Sequence, residues 1–200
     1  LILAIFIGIV IALIRDQIDH VYHTSEDVKD TLKEPILGEI PFIKNFSDLR
    51  NKKEDLLSFI KKNKSKLEKT KDQYQRFFYT EALRNLFTSI RFLNTGSPLK
   101  TLTISSSIPA EGKSLINILL AKTLNDMGER VLLIDADLRK PKIHTRLNLD
   151  NILGLTNILT DSKISLEQVI QPLKDFPNIN VITSGLIPPD PTRLINSERF

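Results

Sequence analysis

The stretch "SSSIPAEGKS", residues 105–114, ends as a phosphate-binding loop does, in Gly112, Lys113 and Ser114. It does not begin as one, because Ser107 occupies the place of the first glycine in G-x-x-x-x-G-K-[ST]. Its surroundings are nevertheless those of such a loop. The β-rich run "TLTISSS" precedes it. Residues 113–127 read as a helix, with Leu115, Ile118, Leu119 and Met127 among the inward candidates and Gly128 as the C-terminal stop. Backbone N–H groups at a helix start have no partners of their own, and the helix dipole favours an anion beside them. In that frame Gly112 lets the backbone approach a phosphate oxygen, Lys113 reaches the β- and γ-phosphates, and the Ser114 hydroxyl is placed for Mg2+. A chance G-K-S at a helix start is the competing reading of the loop alone.

A second stretch, "VLLIDADLR" at 131–139, weakens that competitor. It is a continuous apolar run ending in acids, as suits a strand buried on both faces of a parallel sheet. Ligands of open α/β sheets sit outside the C-terminal ends of the strands. Asp135 and Asp137 therefore belong in one crevice with the loop. One carboxylate would serve a metal directly or through water, and another would take a hydroxyl proton. Arg139 would hold Asp137 or a phosphate. Strand, turn, helix and strand make one right-handed βαβ unit, with a further helix near 165–170 and a strand at 179–185.

Outside this unit the chain changes character. Residues 1–14, "LILAIFIGIVIALI", carry no charge and read as the C-terminal part of a transmembrane helix. The 15–45 segment follows, with Thr24 or Ser25 as a helix cap and Pro35 as that helix's end. Residues 46–75 form a basic connector, read as a solvated linker or as a segment lying on anionic lipid. Leu83, Leu86, Phe87, Ile90 and Leu93 give residues 79–94 one apolar helical face, with Glu81, Arg84 and Arg91 off it. The absence of cysteine excludes disulfides and thiolate chemistry. A net charge of +4 does not call for nucleic acid. His20, His23 and His144 have no metal-ligand spacing and read as surface or loop residues, and Tyr22, Tyr74 and Tyr79 read as structural.

Together these residues resemble the bacterial tyrosine autokinases of capsule and exopolysaccharide export. That family pairs S-x-P-x-E-G-K-S with a hydrophobic run ending D-x-D-x-R, matched here by "SIPAEGKS" and "VLLIDADLR". "DVKDTLKEPILGEIP" is similar to the segment after the second membrane helix of the family's chain-length determinant part. "EALRNLF" resembles its E-x-x-R-x-x-R assembly helix, and "GLIPPDPTRLINSERF" its G-x-x-P-P-N-P loop. Phe87 stands in place of the second arginine, Asp190 in place of the usual asparagine, and Leu115 where a second hydroxyl is common.

The resemblance implies an α/β fold: a P-loop NTPase-like parallel sheet with flanking helices, preceded by a transmembrane helix and a helical linker. Residues 76–200 would be the N-terminal part of the kinase domain, short of its second acidic strand, so that the stretch itself is expected not to catalyse. It implies ATP and Mg2+, with Ser107, Pro109, Glu111, Gly112, Lys113, Ser114, the Leu115 N–H and Arg139 around the nucleotide. Ser114 and Asp135 would hold the metal, and Lys113, Asp135 and Asp137 would carry the transfer. The implied setting is the inner or plasma membrane, with residues after about 15 in the cytoplasm. Implied partners are neighbouring copies and the polysaccharide export machinery. Two other functions compete: a partition or septum-type ATPase, whose signature lysine is missing at Ile108, and a chain-length scaffold with a decayed nucleotide domain.

Overall fold

The computed structural model describes residues 2–18, 24–41, 70–93, 96 and 99–200, in two compact units, Leu1–Glu39 and Ile40–Phe200. In the first unit, helix α1 (Ile2–Ile18) turns Ile5, Phe6, Ile7, Ile9, Val10, Ile11 and Leu13 outward. No helix among the described residues is long and apolar enough to cross a membrane. Helix α2 (Ser25–Leu32) starts where the sequence puts its cap. Thr24 Oγ1 accepts from Asp27 N–H at 3.2 Å, and Asp27 Oδ2 accepts from Thr24 N–H at 3.0 Å, a reciprocal capping box. Its end is not set by Pro35. Lys33 adopts a left-handed conformation (φ 56°) and donates to Lys29 O, closing the helix two residues sooner. Of the basic connector, residues 46–69 lie outside the described residues.

The first helix described in the second unit is α3 (Thr70–Leu93), which begins at Thr70 rather than Tyr79. Leu83 and Tyr79 are fully buried, and Leu86, Phe87 and Ile90 are half-buried. Leu93, expected on the same face, is exposed at the helix end. Helix α4 (Lys113–Asp126) packs on α3 and buries Ile118 and Leu119, with Leu115 at the edge of the same core. Met127 is not an inward residue. It caps the helix, its N–H donating to Thr123 O and Leu124 O, and Gly128 takes the left-handed conformation (φ 85°) that ends the turn.

Strand β1 (Val131–Ile134) follows. Then come α5 (Ile143–Leu147), α6 (Leu155–Thr160), α7 (Leu166–Val169), β2 (Ile170–Pro172), β3 (Ile179–Ile182) and α8 (Pro191–Ile195). The sheet order is β1-β3-β2, with β1 parallel to β3 and Leu133 opposite Val181. The expected all-parallel sheet is in fact mixed, because β2 runs antiparallel to β3. The reason is the short connection at 173–178. Phe176 N–H donates to Leu173 O, Leu173 N–H to Ile179 O, and Ile179 N–H to Phe176 O. So tight a reversal can join only antiparallel neighbours.

The run "TLTISSS" is also corrected. Residues 99–106 join no ladder; Ile104 packs on the core while Leu102 stays exposed. Nor is β1 buried on both faces. Leu133 faces the α3–α4 core, whereas Leu132 and Ile134 are 43% and 46% exposed. A second cluster of Leu138, Leu155, Leu159, Val169 and Ile182 covers the opposite face only toward the C-terminal ends of the strands.

Those ends are tied down by backbone contact. Gly154 sits so close to Thr183 and Gly185 that a Cβ there would overlap Gly185 N and Thr183 O, both rigid backbone atoms. Asn151 adds its side chain, accepting from Gly185 N–H (3.0 Å) and donating to Gly185 O (2.9 Å). Gly154→Ala should therefore destabilise the protein at the upper end of the ~1–3 kcal/mol range of overpacking substitutions. Urea unfolding measures this, and an unchanged midpoint would contradict the contact.

Candidate active site

Topology brings the loop and the acids to one end of the second unit. Residues 127–130 reverse the chain, so α4 runs back along β1 and its first turn lies toward the C-terminal end of that strand. A helix of 14 residues spans about 21 Å and a strand of four about 13 Å, so the first turn of α4 reaches past the end of β1, on the side where residues 135–137 follow.

The loop is shaped by its own side chains. Glu111 Oε2 accepts from Ile108 N–H at 3.2 Å, and Ser106 Oγ donates to Ile108 O at 2.9 Å. Glu111 thus folds the turn rather than projecting from it. Ser107 and Pro109 are exposed on the rim. Gly112 takes φ 98°, a conformation that side chains resist, and serves as the N-cap of α4. The first intrahelical bond is Ile116 N–H to Gly112 O, so the amides of Lys113, Ser114 and Leu115 precede the ladder. The Leu115 side chain points into the core, leaving its N–H as its contribution to the site. Lys113 Nζ donates to Ser106 Oγ at 2.9 Å. A neutral hydroxyl is a weaker partner for an ammonium than a carboxylate or phosphate, so this contact yields readily to a phosphate.

Ala110 sits at φ 74° without the freedom of a glycine. The left-handed region costs a residue with a Cβ about 1–2 kcal/mol, partly offset by the greater chain entropy of glycine when unfolded.

The acids are organised differently from one another. Asp135 is 3% exposed. Its Oδ2 accepts from Lys142 N–H (3.2 Å) and Ile143 N–H (3.0 Å), at the start of α5, and its Oδ1 accepts from Asp137 N–H (3.3 Å). Burial pushes its carboxyl above the ordinary value of 3.8; the amides of Ile143, Asp137 and Lys142 pull down, and the charge of Asp137 adds to the rise. Asp137 is exposed, with Oδ1 accepting from Arg139 N–H (3.3 Å) and Lys140 N–H (3.0 Å). The guanidinium of Arg139 donates to Thr192 Oγ1 at 2.9 Å, rather than holding Asp137.

Among the described residues no group of three or more His, Cys, Asp or Glu side chains forms a metal cage. The donors present fit Mg2+, which takes one or two protein oxygens beside substrate phosphates and water. The Ser114 hydroxyl and the Asp135 carboxylate are such oxygens, and Asp135 Oδ1 accepts a single amide bond and keeps a lone pair. His144 is not a loop residue. It lies in α5 with its Nδ1 buried and unbonded, and Thr156 Oγ1 is likewise buried without a partner.

The sequence reading missed Thr192, Asn151 and the Gly154–Gly185 contact. The two glycines were the only local signal, and nothing in the spacing pairs positions so far apart.

Two outcomes follow from this geometry. Ala110→Gly should raise unfolding free energy by up to about 1 kcal/mol, and a loss of stability would show that the methyl group packs usefully. A group whose folded pKa is raised contributes stability that is full below its unfolded value and is lost as pH rises through the folded one. The stability of the wild type relative to Asp135→Asn should therefore be greatest below about pH 4, decline as pH rises, and level off once Asp135 is ionised. Urea unfolding in Mg2+-free buffer across pH 3–8 tests this sign; a difference that grew with pH would refute it.

No protein-family model matches the chain. Tyrosine-protein kinase YwqD of Bacillus subtilis (strain 168) is 42% identical over 119 residues, which are 60% of this chain and 49% of that protein. Tyrosine-protein kinase ptk of Acinetobacter johnsonii is 32% identical over 198 residues, 98% of this chain but 25% of its own length. The chain thus spans half or less of these curated relatives. Among solved structures, the chimerical protein CapA2B2 matches with a TM-score of 0.68 at 30% identity, over 88% of this chain and 67% of the other. The fold is that of an α/β P-loop NTPase. With a loop ending Gly112-Lys113-Ser114, an acid pair at the end of β1, and relatives matching nearly its whole length, this chain belongs to the family of bacterial tyrosine-protein kinases.

Proposed function

We propose that the protein carrying this chain is a tyrosine autokinase that transfers the γ-phosphoryl group of ATP to tyrosine hydroxyls and so regulates capsule or exopolysaccharide export. The observation that supports the reading is that α4, which begins with Lys113 and Ser114, packs back along β1, the strand that Asp135 and Asp137 follow. ATP is the phosphoryl donor. The amides of Lys113, Ser114 and Leu115 and the Lys113 ammonium hold its phosphates, and Gly112 admits them to the backbone. Ser114 and Asp135 would hold Mg2+, which would supply neutralisation of phosphate charge there. Asp135 would be the acid nearest the transferred phosphoryl group, with Asp137 beside it, and the carboxylate not engaged on the metal would take the tyrosine proton. Asp137 fixes the turn beside it through Arg139 N–H and Lys140 N–H.

The same reading extends to the setting. The outward apolar side chains of α1 favour a bilayer, which would place residues after about 15 at the cytoplasmic face of the inner or plasma membrane. The exposed Glu81–Arg84 pair on α3 (3.1 Å) is available to a neighbouring copy. Phe87 carries no charge in that role; it packs half-buried with the Arg91 guanidinium 5.8 Å from its ring.

Full-length protein incubated with ATP and Mg2+ should acquire phosphotyrosine, and Lys113→Met should lose at least 100-fold of the initial rate. Equal signal from both would remove this loop from the reaction. No signal from either, with nucleotide still bound, would leave a chain-length scaffold.

A further inference from the structure

The acid turn at 135–140 and the short helix α8 are far apart in sequence and are linked in two ways, by a shared cluster and by one hydrogen bond. The first is apolar: Leu194 of α8 packs against the cluster that contains Leu138. The second is polar: Arg139 Nη2 donates to Thr192 Oγ1 at 2.9 Å. Helix α8 is itself held in place. Asp190 Oδ1 accepts from Arg193 N–H at 3.0 Å as its N-cap, and Pro191 supplies a preset φ in the first turn. Aspartate and asparagine cap helices about equally well, so Asp190 keeps α8 intact where the family usually has asparagine.

The other end of the link is the turn that aims the acids. Asp137 Oδ1 accepts from Arg139 N–H and Lys140 N–H, and Asp137 N–H donates to Asp135 Oδ1. Arg139 therefore has two jobs within one residue: its amide closes the turn around Asp137, and its guanidinium fastens the turn to α8. Among the described residues the guanidinium forms no ion pair with either carboxylate.

We propose that Thr192 is a positioning residue for phosphoryl transfer, acting through Arg139 to hold the Asp135–Asp137 turn against α8. The proposal rests on the tyrosine-kinase reading of the site. It assigns the "DPTRL" segment a part in setting the acids and not in gripping nucleotide. The phosphates are bound at Gly112–Leu115, on a different element. Loosening the turn should thus lower kcat and leave the KM for ATP alone.

The test uses full-length protein with Thr192→Val, Thr192→Ser, Arg139→Ala and the double variant Arg139→Ala/Thr192→Val. Initial rates of phosphotyrosine formation are measured against ATP concentration, with melting temperature alongside. One exposed hydrogen bond to a charged donor corresponds to about a three- to ten-fold rate change. Thr192→Val should lower kcat by that factor, with KM for ATP within two-fold and melting unchanged. Thr192→Ser should recover the wild-type rate, and the double variant should be no worse than Arg139→Ala alone. The inference is overturned if Thr192→Val matches the wild type, if Thr192→Ser fails as the valine variant does, if the two substitutions add, or if KM for ATP rises instead. A silent wild type would instead sink the kinase reading, which the Lys113→Met control identifies separately.

Discussion

The carboxylate of Asp135 is the point on which the second unit is organised. It ends β1, reaches forward to the amides that begin α5, and takes the amide of Asp137 on its other oxygen. Three segments are thereby fixed by one side chain. Burial of that group is costly when charged, and the amides around it offset part of the cost. The same arrangement suits an acid that must meet a metal or a proton in a dry site. A carboxylate loosely solvated at a strand end would hold neither the turn nor a fixed direction.

Asp135 also explains why the neighbouring acid behaves differently. With Asp135 occupied by structural amides, Asp137 is left exposed and is closed by its own turn, Arg139 and Lys140. Two aspartates two residues apart therefore occupy unlike environments, one buried and one wet. Like charges so close also raise the cost of ionising the buried member. Differences of this kind are what separate an acid from a base in a shared site.

Much of this was legible in the sequence because the signals were local. Gly112-Lys113 marks the loop-to-helix junction, Gly128 the stop of α4, and Thr24 or Ser25 the cap of α2, which the structure gives to Thr24; each is a residue choice dictated within one turn of chain. What failed depended on distant partners. "TLTISSS" has strand composition, but a strand exists only through its ladder, and composition does not say whether a neighbour is there. "VLLI" reads as doubly buried, yet burial of Leu132 and Ile134 depends on what packs over them. The antiparallel β2 was invisible because three residues carry no period. In the site, Lys113, Asp135 and Asp137 were found by motif, while Thr192 and Asn151 act through contacts with Arg139 and Gly185 that no spacing rule connects.

The irregular loop in the first motif then has a physical account. A missing first glycine matters only if the backbone there must turn with positive φ or approach the ligand closely. At Ser107 the first does not apply, since the positive φ values fall on Ala110 and Gly112. The turn that glycines usually permit is instead pulled shut by side chains, Glu111 onto Ile108 N–H and Ser106 onto Ile108 O. Strain is concentrated at Ala110, and the loop bears it because those two bonds fix its ends. On the proposed reading the motif's fixed part is therefore the short run Gly112-Lys113-Ser114, where backbone would meet phosphate. What precedes it is free to vary so long as some set of bonds delivers the chain to Gly112 in the same direction.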